Sequence, residues 1–127
     1  MPVVGVGVDA IEIPRVEAAL RRTPALLARL FTEGERARCT SRCGDLRYGG
    51  LAARFAAKEA VAKALGTGLV GFGFRDIEIA NDSAGRPDVT LHGGAAEVAA
   101  SRGITRLHVS LSTSHELAVA SAVAEAD

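Results

Sequence analysis

Apolar residues occupy every second position through the first segment of the chain, VVGVGVD at residues 3–9. Val4, Val6 and Val8 share one face, and Gly5, Gly7 and Asp9 share the other. That period of two, with β-branched residues, predicts a strand. The pattern then changes to a helical one. Pro14 suits the first turn of a helix over about 15–22, and a second helical stretch covers 24–30. Thr32-Glu33-Gly34-Glu35 matches a capping box, so a short helix is expected to begin there. Residues 40–50 are polar and glycine-containing, which predicts a loop.

The segment ARFAAKEAVAKALGTG, residues 53–68, lies in a long alanine-rich helix predicted over 51–65 and capped by Gly66. Its apolar residues surround the whole cylinder, as in a buried helix, so Lys58, Glu59 and Lys63 need partners. Beyond Gly66 the texture turns to strands, at 76–80 and 88–92, joined by the turn-rich NDSAGRP of 81–87. A helix at 94–102 stops at Gly103, and two strands, 107–112 and 117–123, close the chain. With no internal repeat or linker, residues 1–127 read as a single α+β domain. A mainly antiparallel sheet is expected to pack against the long helix.

Composition agrees with a folded domain: 127 residues, 48% hydrophobic and 24% charged. No apolar run reaches the roughly 18 residues of a membrane span, and no basic segment precedes an apolar one. No membrane association and a cytoplasmic location are therefore expected. Cys39 and Cys43 stand without a His or Cys cluster and read as reduced thiols. The net charge of zero conceals an asymmetry: residues 1–63 hold eleven Lys/Arg against seven Asp/Glu, and residues 64–127 hold four against eight. Arg15 to Arg54 alone contains nine arginines. Such a stretch suits an acidic partner, a polyphosphate or a plain solvated surface. Aromatic content of 4% and the absence of tryptophan argue against nucleic acid.

The glycine face of the first strand admits close approach by another element, and the long helix offers small residues for it. Glu59 shares a side with Ala52 and Ala56, so packing that side on the glycines would bring Asp9 and Glu59 together. Paired carboxylates suit Mg²⁺, which retains waters and shares its shell with phosphates, and Lys58 and Lys63 could meet those phosphates. Plainer readings stand beside this one. Asp9 with Glu12 fits an acidic capping box, and Glu59 with Lys63 fits a surface ion pair at i,i+4. Gly5-x-Gly7-x-x-Ala10 is half of a dinucleotide fingerprint, set aside because its glycines lie within the strand and Pro14 follows. His92, His108 and His115 are dispersed.

The segments GVGVDAIEIPRVE (5–17), FTEGE (31–35), LAARFAAKEAVAKALGTG (51–68), DIEI with GRP (76–87) and HVSLS (108–112) together resemble the holo-acyl-carrier-protein synthases. These are the short, stand-alone phosphopantetheinyl transferases. The resemblance implies transfer of 4′-phosphopantetheine from coenzyme A to a serine hydroxyl of an apo carrier protein, releasing adenosine 3′,5′-bisphosphate. It implies Asp9 and Glu59 as Mg²⁺ ligands, and Asp9, Glu59 and Lys63 as the catalytic set. Arg54, Lys58, Lys63, Gly66, Gly68 and Thr113 fall to the coenzyme A site. Arg15 and Arg22 fall to the acidic acyl carrier protein. A homotrimer with sites at subunit interfaces is also implied. The alternative is a non-catalytic module that binds coenzyme A or a carrier, and a nucleotide-binding regulator is a weaker option.

One departure stands out. The family commonly reads S-x-S/T-H where this chain has Ser110-Leu111-Ser112-Thr113-Ser114-His115. Thr113 stands in the histidine's place, and a threonine donates one neutral hydrogen bond but carries no charge. A strand running straight would keep Thr113 in that position, in contact with a coenzyme A phosphate.

Overall fold

The computed structural model describes residues 2–127. Strand β1 (Val3–Glu12) pairs antiparallel with β5 (Leu117–Ala126), which pairs antiparallel with β4 (Ile104–Ser114), giving the sheet order β1-β5-β4. A separate hairpin joins β2 (Ile77–Asn81) to β3 (Pro87–Leu91). Its turn is closed by Asp82, whose carboxylate accepts from the amides of Ala84 and Arg86. The helices are α1 (Ile13–Arg22), α2 (Leu26–Leu30), α3 (Glu33–Arg38), α4 (Tyr48–Ala64) and α5 (Gly93–Ser101). The expected α+β architecture holds, and every strand pairing is antiparallel.

Several boundaries differ from the sequence expectation. Strands β4 and β5 reach Ile104–Ser114 and Leu117–Ala126, where 107–112 and 117–123 are expected. Three others differ for a clear local reason. Strand β1 continues to Glu12 because Asp9 through Glu12 stay in register with Ala120 through Leu117. Helix α2 begins at Leu26, since Thr23 and Pro24 form a turn that accepts from the amides of Leu26 and Leu27. Helix α4 begins at Tyr48, inside the segment expected to be a loop. Gly49 and Gly50 hide that first turn because glycine is a poor helix former. The preceding chain is closed by a bridge between Thr40 and Leu46 and by Arg47 N donating to Cys39 O.

The layer that positions the site is the contact of α4 with β1 and β5. Ala118, Ala120, Ala122 and Ala124 of β5 all point inward and are buried, so the helix can lie close to the strands. On β1 the approach is closer still. A Cβ at Gly5 would overlap the carbonyl oxygen of Ala64, and one at Gly7 that of Ala60. Ala60 and Ala64 continue the i,i+4 row of Ala52 and Ala56, so the glycine strand does meet the alanine face, one to two turns further along. The opposite face of β1 is open: Val4, Val6 and Val8 are 51%, 67% and 61% exposed. A second cluster, with Phe31 and Leu51 fully buried, joins α1, α2 and the N-terminal half of α4.

Candidate active site

Asp9 lies in the middle of β1, paired with Ala120, on the face toward α4. This removes the capping reading: Glu12 is the N-cap of α1 and makes no side-chain capping bond. Lys63 of α4 reaches across to Asp9, with Nζ 3.5 Å from Oδ1, and donates to Val8 O at 2.9 Å. The i,i+4 ion pair of Glu59 with Lys63 is therefore not what engages Lys63 within hydrogen-bonding distance. Burial pushes the Glu59 carboxyl up, the charge of Asp9 pushes it further, and Lys63 opposes both. Two carboxylates thus share a half-buried place with one ammonium.

Such a donor set fits a small hard cation. Among the described residues no three His, Cys, Asp or Glu side chains converge, so a cage made only of protein is not available. Mg²⁺ does not require one, because one or two carboxylates with waters and phosphate oxygens complete its shell. Lys63 has three N–H donors, two of them engaged by Val8 and Asp9, which leaves one for a phosphate oxygen.

The structure corrects the placement of Lys58. It points about 100° around the helix from Glu59 and is fully buried. Its ammonium pairs with Glu35 at 2.7 Å and donates to Phe74 O at 2.9 Å and Ile77 O at 2.5 Å. With all three donors used and no water access, Lys58 cannot meet a substrate phosphate. Burial pulls its ammonium below the usual range, and Glu35 holds it partly back. Glu35 serves two elements at once, taking Thr32 N in the expected capping box and Ile79 N from β2. The capping motif announced Glu35 in the sequence, but not its pairing with Lys58.

The remaining candidates occupy two further places. Gly66 and Gly68 follow the C-terminus of α4 with φ of +87° and +60°. The backbone of Gly66 lies under the guanidinium of Arg102, whose Nη1 would stand 2.7 Å from a Cβ. At the other end of the helix, Arg54 donates to Gly50 O and to Asn81 Oδ1, and Arg38 donates to the same oxygen. The Nε of Arg54 is buried without a partner among the described residues. Burial raises the thiol of nearby Cys39, while Arg54, Arg47 and Arg38 draw it down in part. Arg38 and Asn81 were missed in the sequence, where the arginine excess was the only signal.

Thr113 pairs with Ala118 near the end of β4 and lines a cavity of about 310 Å³ with Gly49, Gly50, Ala53 and Ser112. The strand runs straight to Ser114, and His115 sits in the turn beyond it. Nine residues of helix, about 13 Å, separate Gly50 from Glu59, so Thr113 faces the opposite half of α4 from the carboxylates. Arg15 and Arg22 of α1 rim a largely apolar groove of about 520 Å³ whose floor includes Leu26, Phe31, Phe55 and Phe74. The other histidines contact carboxylates at the surface, His92 against Glu78 at 3.0 Å and His108 against Glu125 at 2.6 Å. No helix among the described residues is long and apolar enough to cross a membrane.

Comparison with known proteins gives this arrangement a family. A holo-[acyl-carrier-protein] synthase of Clostridium novyi is 47% identical over 125 residues, covering 98% of this chain and 89% of the relative. The crystal structure of the corresponding synthase of Neisseria meningitidis superposes with a TM-score of 0.87 at 32% identity, covering 98% and 99% of the two chains. That of Helicobacter pylori, in complex with coenzyme A, gives 0.81 at 29% identity, covering 94% and 99%. The profile of the 4′-phosphopantetheinyl transferase superfamily matches residues 5–120, and the chain belongs to that superfamily.

Proposed function

We propose that residues 1–127 act as one transferase domain with the holo-acyl-carrier-protein synthase reaction, run at the carboxylate pair of Asp9 and Glu59. The enzyme moves 4′-phosphopantetheine from coenzyme A to a serine hydroxyl of an apo acyl carrier protein. The serine hydroxyl gives up its proton to solvent as its oxygen bonds to the phosphorus that bears the pantetheine arm, the pyrophosphate bridge breaks, and adenosine 3′,5′-bisphosphate leaves. The observation that carries this reading is Asp9, near enough for its charge to raise the Glu59 carboxyl, with Lys63 reaching it where the glycines of β1 meet the alanines of α4.

Asp9 and Glu59 would hold Mg²⁺, which supplies charge neutralisation at the pyrophosphate when bound. Lys63 offers its free donor to a phosphate oxygen and stabilises charge as the bridge breaks. Arg54, with Arg38 beside it on Asn81, binds a second phosphate of coenzyme A, and Thr113 adds one neutral donor. Gly66 and Gly68 let the chain turn close to the ligand beyond Lys63. Arg15 and Arg22 dock an acidic carrier at the groove they rim, whose apolar floor takes the carrier's apolar side chains. The exposed Val4, Val6 and Val8 are covered by further copies in a homotrimer, which brings sites to subunit interfaces. A cytoplasmic location suits the substrates.

The test is incubation with coenzyme A, Mg²⁺ and an apo acyl carrier protein, followed by intact mass of the carrier. A gain equal to one phosphopantetheine is expected, lost on chelation of the metal. An unchanged mass with coenzyme A still bound would instead indicate a binding module. Sedimentation at several concentrations reads the trimer.

A further inference from the structure

The buried pair of Glu35 and Lys58 has no part in the chemistry above, yet it ties together four segments. From α4, the Lys58 ammonium holds Glu35 of α3, the carbonyl of Phe74 in the 3₁₀ turn Phe74–Asp76, and that of Ile77 at the start of β2. It also lies 5.7 Å from the centre of the Phe31 ring. Phe74 follows the glycine-rich stretch 66–73, which has no regular structure to fix what comes after it. The turn is otherwise tied by Asp76 N to Gly73 O, Ile77 N to Phe74 O and His92 N to Asp76 O. The Phe74 ring stacks on Phe55, centroids 5.2 Å apart, and these two rings with Phe31 line the groove rimmed by Arg15 and Arg22.

We infer that Lys58 is a positioning residue for that groove: by clamping the carbonyls of Phe74 and Ile77 from inside, it sets the aromatic wall against which a carrier protein docks. This rests on the reading of the groove as the carrier's docking surface. The route does not pass through the neighbouring Glu59. Asp9, Glu59 and Lys63 are placed by the contact of Gly5 and Gly7 with Ala60 and Ala64, on another side of α4. Loss of the clamp is therefore felt in carrier recognition before it is felt in the reaction.

The experiment is steady-state kinetics of the full chain with apo acyl carrier protein varied at saturating coenzyme A, with calorimetric binding of coenzyme A alongside. Lys58→Met keeps the stem and removes the ammonium. It is expected to raise the carrier KM about tenfold while kcat and coenzyme A affinity stay within about twofold of the parent. A role confined to overall stability would lower the amount of active enzyme and leave the carrier KM unmoved, which overturns the inference. So would a loss in kcat and coenzyme A affinity with the carrier KM unchanged, since Lys58 would then act through Glu59. If Lys58→Met does not fold, Phe74→Ala is read instead, with the ion pair intact; a carrier KM equal to the parent's overturns the inference. Arg22→Glu separates the two layers. If it too leaves the carrier KM unchanged, the groove reading fails and the inference falls with it. If it raises KM while the Lys58 and Phe74 variants do not, the inference alone is wrong.

Discussion

Lys58 and Lys63 stand five residues apart on one helix and have opposite surroundings. Lys58 is sealed among two carbonyls, a carboxylate and an aromatic ring, with every donor committed. Lys63 is half exposed, shares Asp9 loosely at 3.5 Å and keeps a donor free. The difference comes from rotation about the helix axis. Relative to Glu59, Lys63 is displaced by about 40° and Lys58 by about 100°. A cation next to a carboxylate in sequence is therefore the one that turns away from it. The buried charge holds the framework, and the open one is available to a ligand.

The largest effect expected on this contrast is on stability. Glu35→Leu removes the counter-charge of an ammonium with no water around it and should destabilise the fold by about 3–5 kcal/mol. Lys63→Met, at a partly solvated pair, should change stability by less than about 1 kcal/mol. Chemical denaturation of the two variants measures both, and equal losses would break the contrast.

Next in size is activity. Asp9→Ala should lower kcat by about two to three orders of magnitude, as when a preorganised charge contact is lost at a transition state. The denaturation midpoint should stay near that of the parent. A variant that kept most of its turnover at limiting Mg²⁺ would displace the metal from Asp9. At the far end of α4, Thr113→Val removes one neutral donor and should weaken coenzyme A binding by about 1 kcal/mol. His115→Ala, in the turn beyond the strand, should leave that affinity unchanged, and calorimetry distinguishes the two.

The smallest effect has the opposite sign. The Glu59 carboxyl is raised above its ordinary value by burial and by Asp9, so the folded state binds a proton more readily than the unfolded one. Stability then falls as pH rises from the unfolded value through the folded one, and at neutral pH the ionised group is a net cost. Glu59→Gln should raise Tm of the metal-free protein at pH 7 by about 2 °C while abolishing transfer. The gain should vanish in acid, where the parent is protonated as well. A lower Tm at pH 7 would mean that Lys63 outweighs Asp9 and burial.

Much of this was legible in the sequence because it rests on periodicity. Alternating glycines in β1 and a row of alanines in α4 were enough to set Asp9 near Glu59. The rotation of Lys58 was lost because α4 is apolar on all sides, leaving no polar stripe to fix which way each cation faced. Its partner was lost because Glu35 lies 23 residues earlier, in a short helix where a capping role already accounted for it. The gathering of Arg38 and Arg54 on Asn81 joins α3, α4 and β2, and no local pattern encodes a contact among three elements. The start of α4 was masked by Gly49 and Gly50, where helix propensity and tertiary closure disagree.

The two glycines of β1 also constrain how the protein can change. Every replacement of glycine adds atoms, so mutation at Gly5 or Gly7 can move in one direction only. There the added carbon meets a backbone carbonyl, of Ala64 or Ala60, which has no side-chain torsion by which to swing aside. A clash between side chains can be relieved by a second, smaller residue opposite, but no substitution shortens a peptide group. Compensating pairs of mutations are thus closed to this seam. The spacing between strand and helix, and with it the separation of Asp9 from Glu59, is inherited as a fixed length, and variation in the enzyme has to accumulate elsewhere.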